Sequence, residues 1–297
     1  MKKATIFGID IPAYTFADID AWTQKALLGS KQCMVAKANS EFLLRSVKNP
    51  DFKACLQDAS LVVPDGIGVL WATKYASLPL RSEKFRIYNF EFLITLECVW
   101  QMVYSGTALV SRKDYARDVL PERLSGVEVF YTMLSACEQA AKSVYLYGAK
   151  QEVLELAVAE IRKRYPHLVI AGYKNGYDDK GKGVIREISE SGASLLIVAL
   201  GSPEQEYWIR DNLKNLPNIR VAVGEGGSFD YVAGKGVRAP KFVQQIGLEW
   251  LWRGLFAKNL TGGGHRLRRV WNAVPVFIYE VVKWKIGHAS VPVDSSK

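Results

Sequence analysis

The segment LLIVALGSPEQEYWIRDNLKNLPNIRVAVGEGGSFD, residues 195–230, decides the fold class of this chain of 297 residues. Its first six residues are apolar, and they stop at a Gly-Ser-Pro turn, residues 201–203, after which apolar positions recur at helical spacing. This pattern predicts a buried strand, a tight turn and a helix. A second apolar run at 221–223 ends in a cluster of glycines. The segment therefore predicts two neighbouring strands that both end in turns.

Both turns have features of a ligand site. Ser202 is a suitable helix cap and Pro203 a suitable first helical residue, so free backbone N–H groups would face an anion above the strand. The glycines at 224, 226 and 227 allow backbone to approach a ligand closely. Ligands of open α/β sheets bind beyond the carboxyl ends of the strands, so we expect both turns to face one cleft.

Three polar residues open the helix after the first turn. Acidic Glu204 and Glu206 complement the helix dipole, whereas the dipole does not explain Gln205. Asp230 follows the glycine cluster at a place where a ribose hydroxyl could be held, and it is also a suitable helix cap. Taken alone, each turn could simply reverse the chain.

Strands alternate with helices through the rest of the chain. The predicted strands include residues 4–9, 33–38, 60–63, 143–147, 168–172 and 195–200. The predicted helices cover 16–28, 40–56 with a break at Pro50, the region up to 76, 127–141, 151–165 and 183–191. This alternation predicts an α/β fold with a Rossmann-like, mostly parallel sheet and helices on both faces. We expect a catalytic domain at 1–240 with an insertion at about 81–118, a basic helical C-terminal appendage at 241–289, and a disordered tail at 290–297.

Asp65 is the strongest candidate for catalysis. It follows a predicted strand and has apolar neighbours, an environment in which the pKa of a carboxyl can be raised until it serves as a general base. Pro-Asp-Gly is also a common turn sequence, which is the structural alternative.

Several blocks of the chain resemble signature blocks of the WecG/TagA/CpsF family of bacterial glycosyltransferases. They are ANSE (38–41), PDGIGV (64–69), GSPEQEYW (201–208), GGSFD (226–230), RAP (238–240) and GLEWLWR (247–253). The resemblance covers nearly the whole chain except the insertion and the extreme C-terminus. It implies an inverting glycosyltransferase that moves a hexose-type sugar, N-acetylmannosamine or its uronic acid, from a UDP donor to a polyprenyl-diphosphate-linked sugar in cell-surface polysaccharide synthesis.

The resemblance also assigns roles to residues. It implies that Asp65 is the base and that Gln205 and Asn39 position sugars. The nucleotide pocket would be lined by Gly148, Tyr177, Gly201, Ser202 and Asp230, and the diphosphate would be stabilised by Arg123, Arg253, Arg266 and Arg269. Lys37 stands where the family usually has a threonine, and a lysine there could bind phosphate or exclude the usual substrate. Asn39 is equally suited to capping the following helix.

We expect no metal and no other cofactor. The close acidic pair Asp178-Asp179 lies in a Lys-flanked loop that is typical of a solvated turn, so arginines are expected to compensate the diphosphate charge. Two other function classes stay open, a nicotinamide-dependent oxidoreductase and a non-catalytic membrane-associated scaffold. The oxidoreductase is disfavoured because no Gly-x-Gly-x-x-Gly follows the first strand.

The C-terminal region predicts a membrane contact. Eight basic and two acidic residues lie between Lys241 and His288, interleaved with four tryptophans, in a protein of net charge +9. This composition suits the headgroups of an anionic membrane, so we expect a cytoplasmic protein that is peripheral on the inner face of the cell membrane. Tryptophans packed on a core are the alternative. Nucleic acid is not expected as a partner, since no nucleic-acid motif occurs, and a homo-oligomer stays open.

From the remaining features we expect neither export nor a disulfide framework. The four cysteines are scattered, which predicts reduced, buried thiols. The N-terminal apolar run is too short for a signal peptide. The longest apolar stretch, residues 87–104, carries Glu91 and Glu97, so we expect no spanning helix. The aromatic insertion that contains this stretch is compatible with an acceptor lid, a membrane-contacting helix or a subunit interface.

Overall fold

A computed structural model of the protein contains a six-stranded, all-parallel sheet with helices on both faces, which confirms the predicted fold class. The structure describes residues 2–81, 90–112, 114–177, 183–235, 240 and 263–289, and for residues 90 and 263–273 it describes only the backbone. The strands of this sheet are β3 (Cys33–Ala38), β4 (Leu61–Pro64), β5 (Ser143–Gly148), β6 (Val169–Lys174), β7 (Leu195–Ala199) and β8 (Val221–Gly224).

The helices connect these strands and cover the sheet. They are α1 (Phe16–Leu28), α2 (Ser40–Lys48), α3 (Pro50–Gln57), α4 (Ile67–Ser77), α5 (Phe90–Ser111), α6 (Gly126–Gln139), α7 (Gln151–Arg164), α8 (Val184–Ser191), α9 (Glu204–Asn212), α10 (Ser228–Val232) and α11 (Gly263–Ala289). Most of the predicted boundaries agree with these bounds to within two residues.

The order of the strands in the sheet is β4–β3–β8–β7–β5–β6. The chain places β4 on one side of β3 and all later strands on the other side, so the winding direction reverses between β3 and β8. In open α/β sheets such a reversal leaves a crevice at the carboxyl ends of the strands, and ligands bind there. The topology therefore points to the ends of β3 and β8.

The prediction of one strand at residues 4–9 is wrong. The chain instead forms an antiparallel hairpin of β1 (Lys3–Ile6) and β2 (Ile9–Pro12), separate from the main sheet. Phe7 and Gly8 form the turn with φ of 55° and 79°, the left-handed backbone that two-residue hairpin turns use. The buried Phe7 ring packs edge-on against Phe277 and Trp284 of α11, so burial compensates for an unusual turn residue.

The two faces of the sheet bury separate cores. Alternate strand residues such as Val35 and Val63 pack with α1, α6, α7 and α10, whereas Ala36 and Val62 face the layer that contains α2, α4 and α11. The four cysteines are free and buried, as predicted, and burial raises the pKa of the Cys55 and Cys137 thiols to about 12.

Helix α11 packs on the body of the protein through its C-terminal half. Phe277 and Val281 belong to the buried core, and Trp284 packs against Phe7, so for Trp284 the core-packing alternative is correct. Lys285, one of the basic residues expected at a membrane, is buried. Its Nζ donates to the carbonyl oxygens of Tyr75 and Leu78 and to Gln101 Oε1 at 2.6–2.8 Å, which ties α11 to the C-terminus of α4 and to α5.

Helix α5 forms most of the predicted insertion. Its segment Glu91–Ser111 is long and apolar enough to cross a membrane by length and composition alone, although 28% of the tested window is buried within the protein. One side packs against α4 and α11. The other side, which we call the outer face of α5, exposes the large apolar side chains of Phe92, Leu96, Val99, Trp100, Val103 and Val110.

Candidate functional site at the carboxyl edge of the sheet

The turns after β7 and β8 meet, as the sequence predicted. A methyl group added at Gly226 would lie 2.8 Å from Gln205 Oε1 and 3.0 Å from Gly201 Cα. One added at Gly224 would lie 2.6 Å from Gln205 Nε2. Only glycine allows the second turn to pack this closely against the start of α9. Both turns therefore border one site.

The start of α9 is more deeply buried than the sequence suggested. Gln205 and Glu206 are 4% and 1% exposed, and Gln205 Nε2 donates to Glu206 Oε1 at 2.7 Å. Burial raises the pKa of the Glu206 carboxyl, and the hydrogen bond from Gln205 opposes that shift. The interpretation of Glu206 as a dipole-complementing surface acid is wrong, whereas Glu204 is exposed and fits it.

Ser202 does not cap α9. The residue at the cap position is Pro203, without a side-chain capping bond, and the Ser202 hydroxyl is buried with no hydrogen-bond partner among the described residues. The predicted cap is wrong because the helix starts one residue later than the Gly-Ser-Pro pattern suggested. The first N–H groups of α9 consequently receive no bond from a cap side chain.

Lys37 and Glu225 form a buried ion pair across the two strands where the winding reverses. Lys37 lies on β3 and Glu225 follows β8, and the Lys37 and Glu225 side chains are 10% and 0% exposed. Glu225 Oε2 also accepts a hydrogen bond from Ser228 Oγ. Burial raises the pKa of the Glu225 carboxyl, while Lys37 and Ser228 oppose the shift and nearby Asp65 adds to it.

Asp65 lies beside this ion pair. It directly follows β4, its backbone N–H donates to the Ala38 carbonyl at 2.7 Å, and it is partly exposed. A methyl group added at Gly126, the first residue of α6, would lie 2.8 Å from Lys37 Nζ and 3.6 Å from Asp65 Oδ2. The ammonium of Lys37, the carboxylate of Asp65 and the N-terminus of α6 therefore converge on one point.

We call Lys37, Asp65, Gln205, Glu206 and Glu225 the edge cluster. Three of its oxygens are buried without a hydrogen-bond partner among the described residues: Gln205 Oε1, Glu206 Oε2 and Glu225 Oε1. A buried polar atom without a partner is costly, so such atoms call for an explanation.

The far side of the same edge holds Gly148 and Tyr177. Gly148 ends β5 with φ of 112°, and a methyl group there would lie 2.5 Å from the backbone of Ala199. A methyl group at Gly176 would lie 3.1 Å from Gly148 Cα, so the chain next to Tyr177 runs beside β5. The Tyr177 side chain is 58% exposed. Both residues thus lie at the carboxyl edge, next to the turn after β7.

The remaining candidate residues for the site do not belong to the edge cluster. Asn39 caps α2, since its Oδ1 accepts from the Phe42 N–H at 2.9 Å, which confirms the capping alternative. Arg123 is partly exposed three residues before Gly126, and Asp230 is partly exposed on α10. Arg253 lies outside the described residues, as does the pair Asp178-Asp179, and for Arg266 and Arg269 only the helix backbone is described.

The direction of α11 places these last two positions beyond the first turn of α4. Phe277 packs near Gly68 in the first turn of α4, and Lys285 contacts the end of α4, so the two helices run parallel. Positions 266 and 269 precede Phe277 by 11 and 8 residues along α11. At a rise of about 1.5 Å per residue, both positions lie more than about 10 Å beyond the level of Phe277.

Helix N-termini add positive potential to the same edge. The N-cap residues of α4, α6, α7 and α9 make no side-chain capping bond; these residues are Gly66, Ser125, Lys150 and Pro203. By contrast, α1, α2 and α3 are capped by Thr15, Asn39 and Asn49. Uncapped N–H groups together with the helix dipole favour anions. The edge cluster thus lies where a phosphate group would be stabilised.

The sequence analysis missed the roles of Glu206 and Glu225. A weak signal for the ion pair was present, because Lys37 interrupts an otherwise apolar strand and a charge in such a strand requires a partner. Nothing local identified Glu225 as that partner, since the two residues are far apart in the chain.

Comparisons with known proteins found relatives of this chain. A sequence profile of the glycosyl transferase WecG/TagA/CpsF family matches residues 4–99 and 91–291. A Bacillus spizizenii protein named N-acetylglucosaminyldiphosphoundecaprenol N-acetyl-beta-D-mannosaminyltransferase is 29% identical over 254 residues, covering 86% of this chain and 80% of that protein. A Bacillus subtilis protein of the same name is 28% identical to this chain, and the match covers 85% of this chain and 83% of that protein. A Staphylococcus aureus protein of the same name is 29% identical, and the match covers 62% of this chain and 69% of that protein.

Proposed function

The chain belongs to the WecG/TagA/CpsF family of glycosyltransferases, and from this premise we propose that it transfers N-acetylmannosamine, or its uronic acid, from a UDP donor to a polyprenyl-diphosphate-linked sugar. The relatives carry names that specify an N-acetylmannosaminyl group and an N-acetylglucosaminyl diphosphoundecaprenol acceptor, which supports both assignments. The protein would act as a peripheral enzyme on the cytosolic face of the membrane, where a lipid-linked acceptor is found.

One observation carries the catalytic proposal. Asp65 is a partly exposed carboxylate beside a buried cation and the N-terminus of α6, at the point of the sheet where ligands bind. Asp65 takes the proton of the acceptor hydroxyl as that oxygen bonds to the anomeric carbon. The bond from this carbon to the UDP oxygen breaks, and its electron pair leaves with UDP. Attack from the face opposite the leaving group inverts the anomeric configuration.

The charge of the leaving diphosphate would be stabilised by guanidinium groups. We assign this role to Arg123, Arg253, Arg266 and Arg269, because guanidinium groups form bidentate hydrogen bonds with phosphate oxygens. Lys37 is less suited to it, because its ammonium is already paired with Glu225. In this proposal Lys37 instead sets the local charge next to Asp65.

The partnerless oxygens of the edge cluster fit a sugar. Gln205 Oε1 and Glu206 Oε2 would accept hydrogen bonds from hydroxyl groups of a sugar that binds at this edge. Gly148, Tyr177, Gly201, Ser202 and Asp230 would line the nucleotide pocket, and Asn39 would contact a sugar through its amide nitrogen.

Replacing Asp65 by asparagine tests the proposal. General base catalysis contributes about 10²–10⁴-fold, so UDP release from UDP-N-acetylmannosamine with a lipid-linked acceptor should fall by that factor while UDP still binds. Asp58→Asn, at an exposed position after α3, is the matched control and should retain full activity. If D65N kept wild-type turnover, or if a chelator abolished turnover of the wild-type enzyme, the proposed mechanism would be wrong. A scaffold without catalytic function would show no UDP release in any variant.

A further inference from the structure

The outer face of α5 is an apolar surface that nothing in the described structure covers. Phe92 and Trp100 are 63% and 64% exposed, and Leu96, Val99, Val103 and Val110 lie on the same side of the helix. The opposite side, with Ile94, Cys98 and Ser105, is buried. A helix that is apolar on both sides is not expected at a water-exposed surface, so the outer face requires a partner.

We propose that α5 lies flat in the headgroup and acyl boundary of an anionic bilayer, with its outer face embedded in the lipid. The choice of a bilayer rests on the proposed function, because an enzyme that acts on a polyprenyl-linked acceptor must approach the membrane. The chemistry of the helix supports the same choice independently.

The outer face of α5 is uncharged. The charged side chains of the helix are Glu91 and Glu97, neither of which belongs to the outer face, and Glu97 Oε1 accepts from the Arg81 N–H and from Gln101 Nε2. Exposed Arg112 directly follows the last residue of the helix and would face anionic headgroups. Trp100 and Tyr104 stack at 5.3 Å on the exposed side, and aromatic rings with a polar atom favour the interface of a membrane.

A second copy of the chain fits this face less well. Two parallel α5 helices packed side by side would bring Arg112 against Arg112 and Glu91 against Glu91. Anionic lipid headgroups would instead compensate Arg112, at roughly 1 kcal/mol for a basic residue near the surface.

The inner contacts of α5 favour a flat orientation over a spanning one. Trp71 Nε1 donates to Ser105 Oγ at 3.0 Å, the Tyr75 hydroxyl donates to the Cys98 carbonyl at 3.1 Å, and Gln101 accepts from the buried Lys285. A helix that crossed the bilayer would have to give up these bonds. A helix lying in the interface keeps them.

The same bonds orient α5 toward the site. Residues 71 and 75 of α4 contact residues 105 and 98 of α5, so the two helices run antiparallel. The C-terminal end of α5 therefore lies next to the first turn of α4, which begins two residues after Asp65. A bilayer on the outer face would hold a lipid-linked diphosphate near the carboxyl edge.

Vesicle binding by the full chain tests the proposal. We would measure co-sedimentation with vesicles of phosphatidylcholine and phosphatidylglycerol for the wild type and for Leu96→Glu/Trp100→Glu. The matched control is Leu156→Glu, which places a charge at an exposed apolar position of α7. The double variant should bind these vesicles about tenfold more weakly or worse, because burial of each large apolar side chain contributes about 1.5–3 kcal/mol, whereas L156E should bind as the wild type does.

Turnover separates this inference from the proposed function. With a water-soluble, short-chain acceptor the double variant should release UDP at the wild-type rate, and with an acceptor embedded in vesicles it should be slower. The inference would be overturned if the double variant bound vesicles as tightly as the wild type. It would also be overturned if the wild type were a dimer in size-exclusion chromatography and the double variant lost the dimer without losing vesicle binding. Wild-type protein that resists extraction at alkaline pH would contradict the flat orientation. No UDP release by the wild type on the soluble acceptor would instead refute the proposed function alone.

Discussion

The edge cluster and the outer face of α5 depart from the usual distribution of side chains in opposite ways. In the edge cluster a lysine and two glutamates are buried at the end of a sheet, whereas on the outer face of α5 large apolar side chains are exposed. Without a bound partner, each arrangement lowers the stability of the protein. Proteins keep such destabilising arrangements mainly at functional surfaces. The difference lies in the compensation: the edge cluster is partly satisfied from within, while the outer face depends on an external partner.

The largest expected effect on the free energy of unfolding comes from a substitution that breaks the ion pair of the edge cluster. Lys37→Met leaves Glu225 buried without its cation, so the free energy of unfolding should fall by about 3–5 kcal/mol in a denaturant titration. Leu96→Glu on the outer face should change it by no more than about 0.5 kcal/mol, since the new charge faces water. If Lys37→Met and Leu96→Glu lowered the free energy of unfolding equally, the proposed difference between the edge cluster and the outer face would be wrong.

Two variants sharpen this prediction. Lys25→Met removes an exposed lysine of α1 and controls for the loss of one positive charge. Lys37→Met/Glu225→Leu removes both partners of the pair and should be more stable than Lys37→Met alone, because no unpaired charge remains buried. A double variant as unstable as the single one would show that the ion pair does not account for the loss.

A smaller effect is expected at the glycine next to Gln205. The methyl group of Gly224→Ala would lie 2.6 Å from Gln205 Nε2 and 2.8 Å from Glu206 Oε1. We expect a loss of about 1–3 kcal/mol in the free energy of unfolding and displacement of Gln205, with a lower turnover that UDP-release assays would detect. Gly106→Ala in α5 meets no atom within 4 Å and should leave both quantities unimpaired. Equal behaviour of the two variants would show that the turn after β8 is not tightly packed.

The sequence predicted most of the sheet because buried parallel strands are continuous apolar runs that end at turn residues. The run at 195–200 and the strand at 33–38 were recognised in this way, and both occur as β7 and β3. The hairpin at β1 and β2 was missed because its turn contains Phe7 and Gly8 rather than a typical Asn-Gly pair. Burial of the Phe7 ring against α11 stabilises that turn, and this long-range contact has no local signal.

The site was predictable in position but not in its charge arrangement. The glycine turns after β7 and β8 located the carboxyl edge, and Asp65 and Gln205 both lie there. The burial of Glu206 and the pairing of Lys37 with Glu225 depend on which strands are neighbours, and local sequence patterns do not encode the β3–β8 pairing. For the same reason the aromatic insertion at about 81–118 left three interpretations open, because its sequence does not show which side chains of α5 would be covered.

The pH dependence of stability tests the burial of Glu206. Because its pKa is raised in the folded state, the folded protein binds the proton more tightly than the unfolded chain. The free energy of unfolding should therefore fall as pH rises from the ordinary pKa of a glutamate through the raised one. Glu206→Gln should remove this contribution and be relatively more stable at neutral pH than at pH 4 when compared with the wild type. Glu204→Gln, at the exposed neighbouring position, controls for the loss of one negative charge.

The smallest expected effect separates the two roles of Asn39. Its Oδ1 caps α2, and the proposed function gives its amide nitrogen to a sugar. Asn39→Asp keeps the capping oxygen and loses the N–H donors, so the free energy of unfolding should stay within about 0.5 kcal/mol of wild type while KM for a substrate rises. Asn39→Ala loses the cap as well and should cost about 1 kcal/mol. If Asn39→Asp left KM and kcat unchanged, Asn39 would be a capping residue alone, and the contacts to the sugar would have to come from the partnerless oxygens of Gln205 and Glu206.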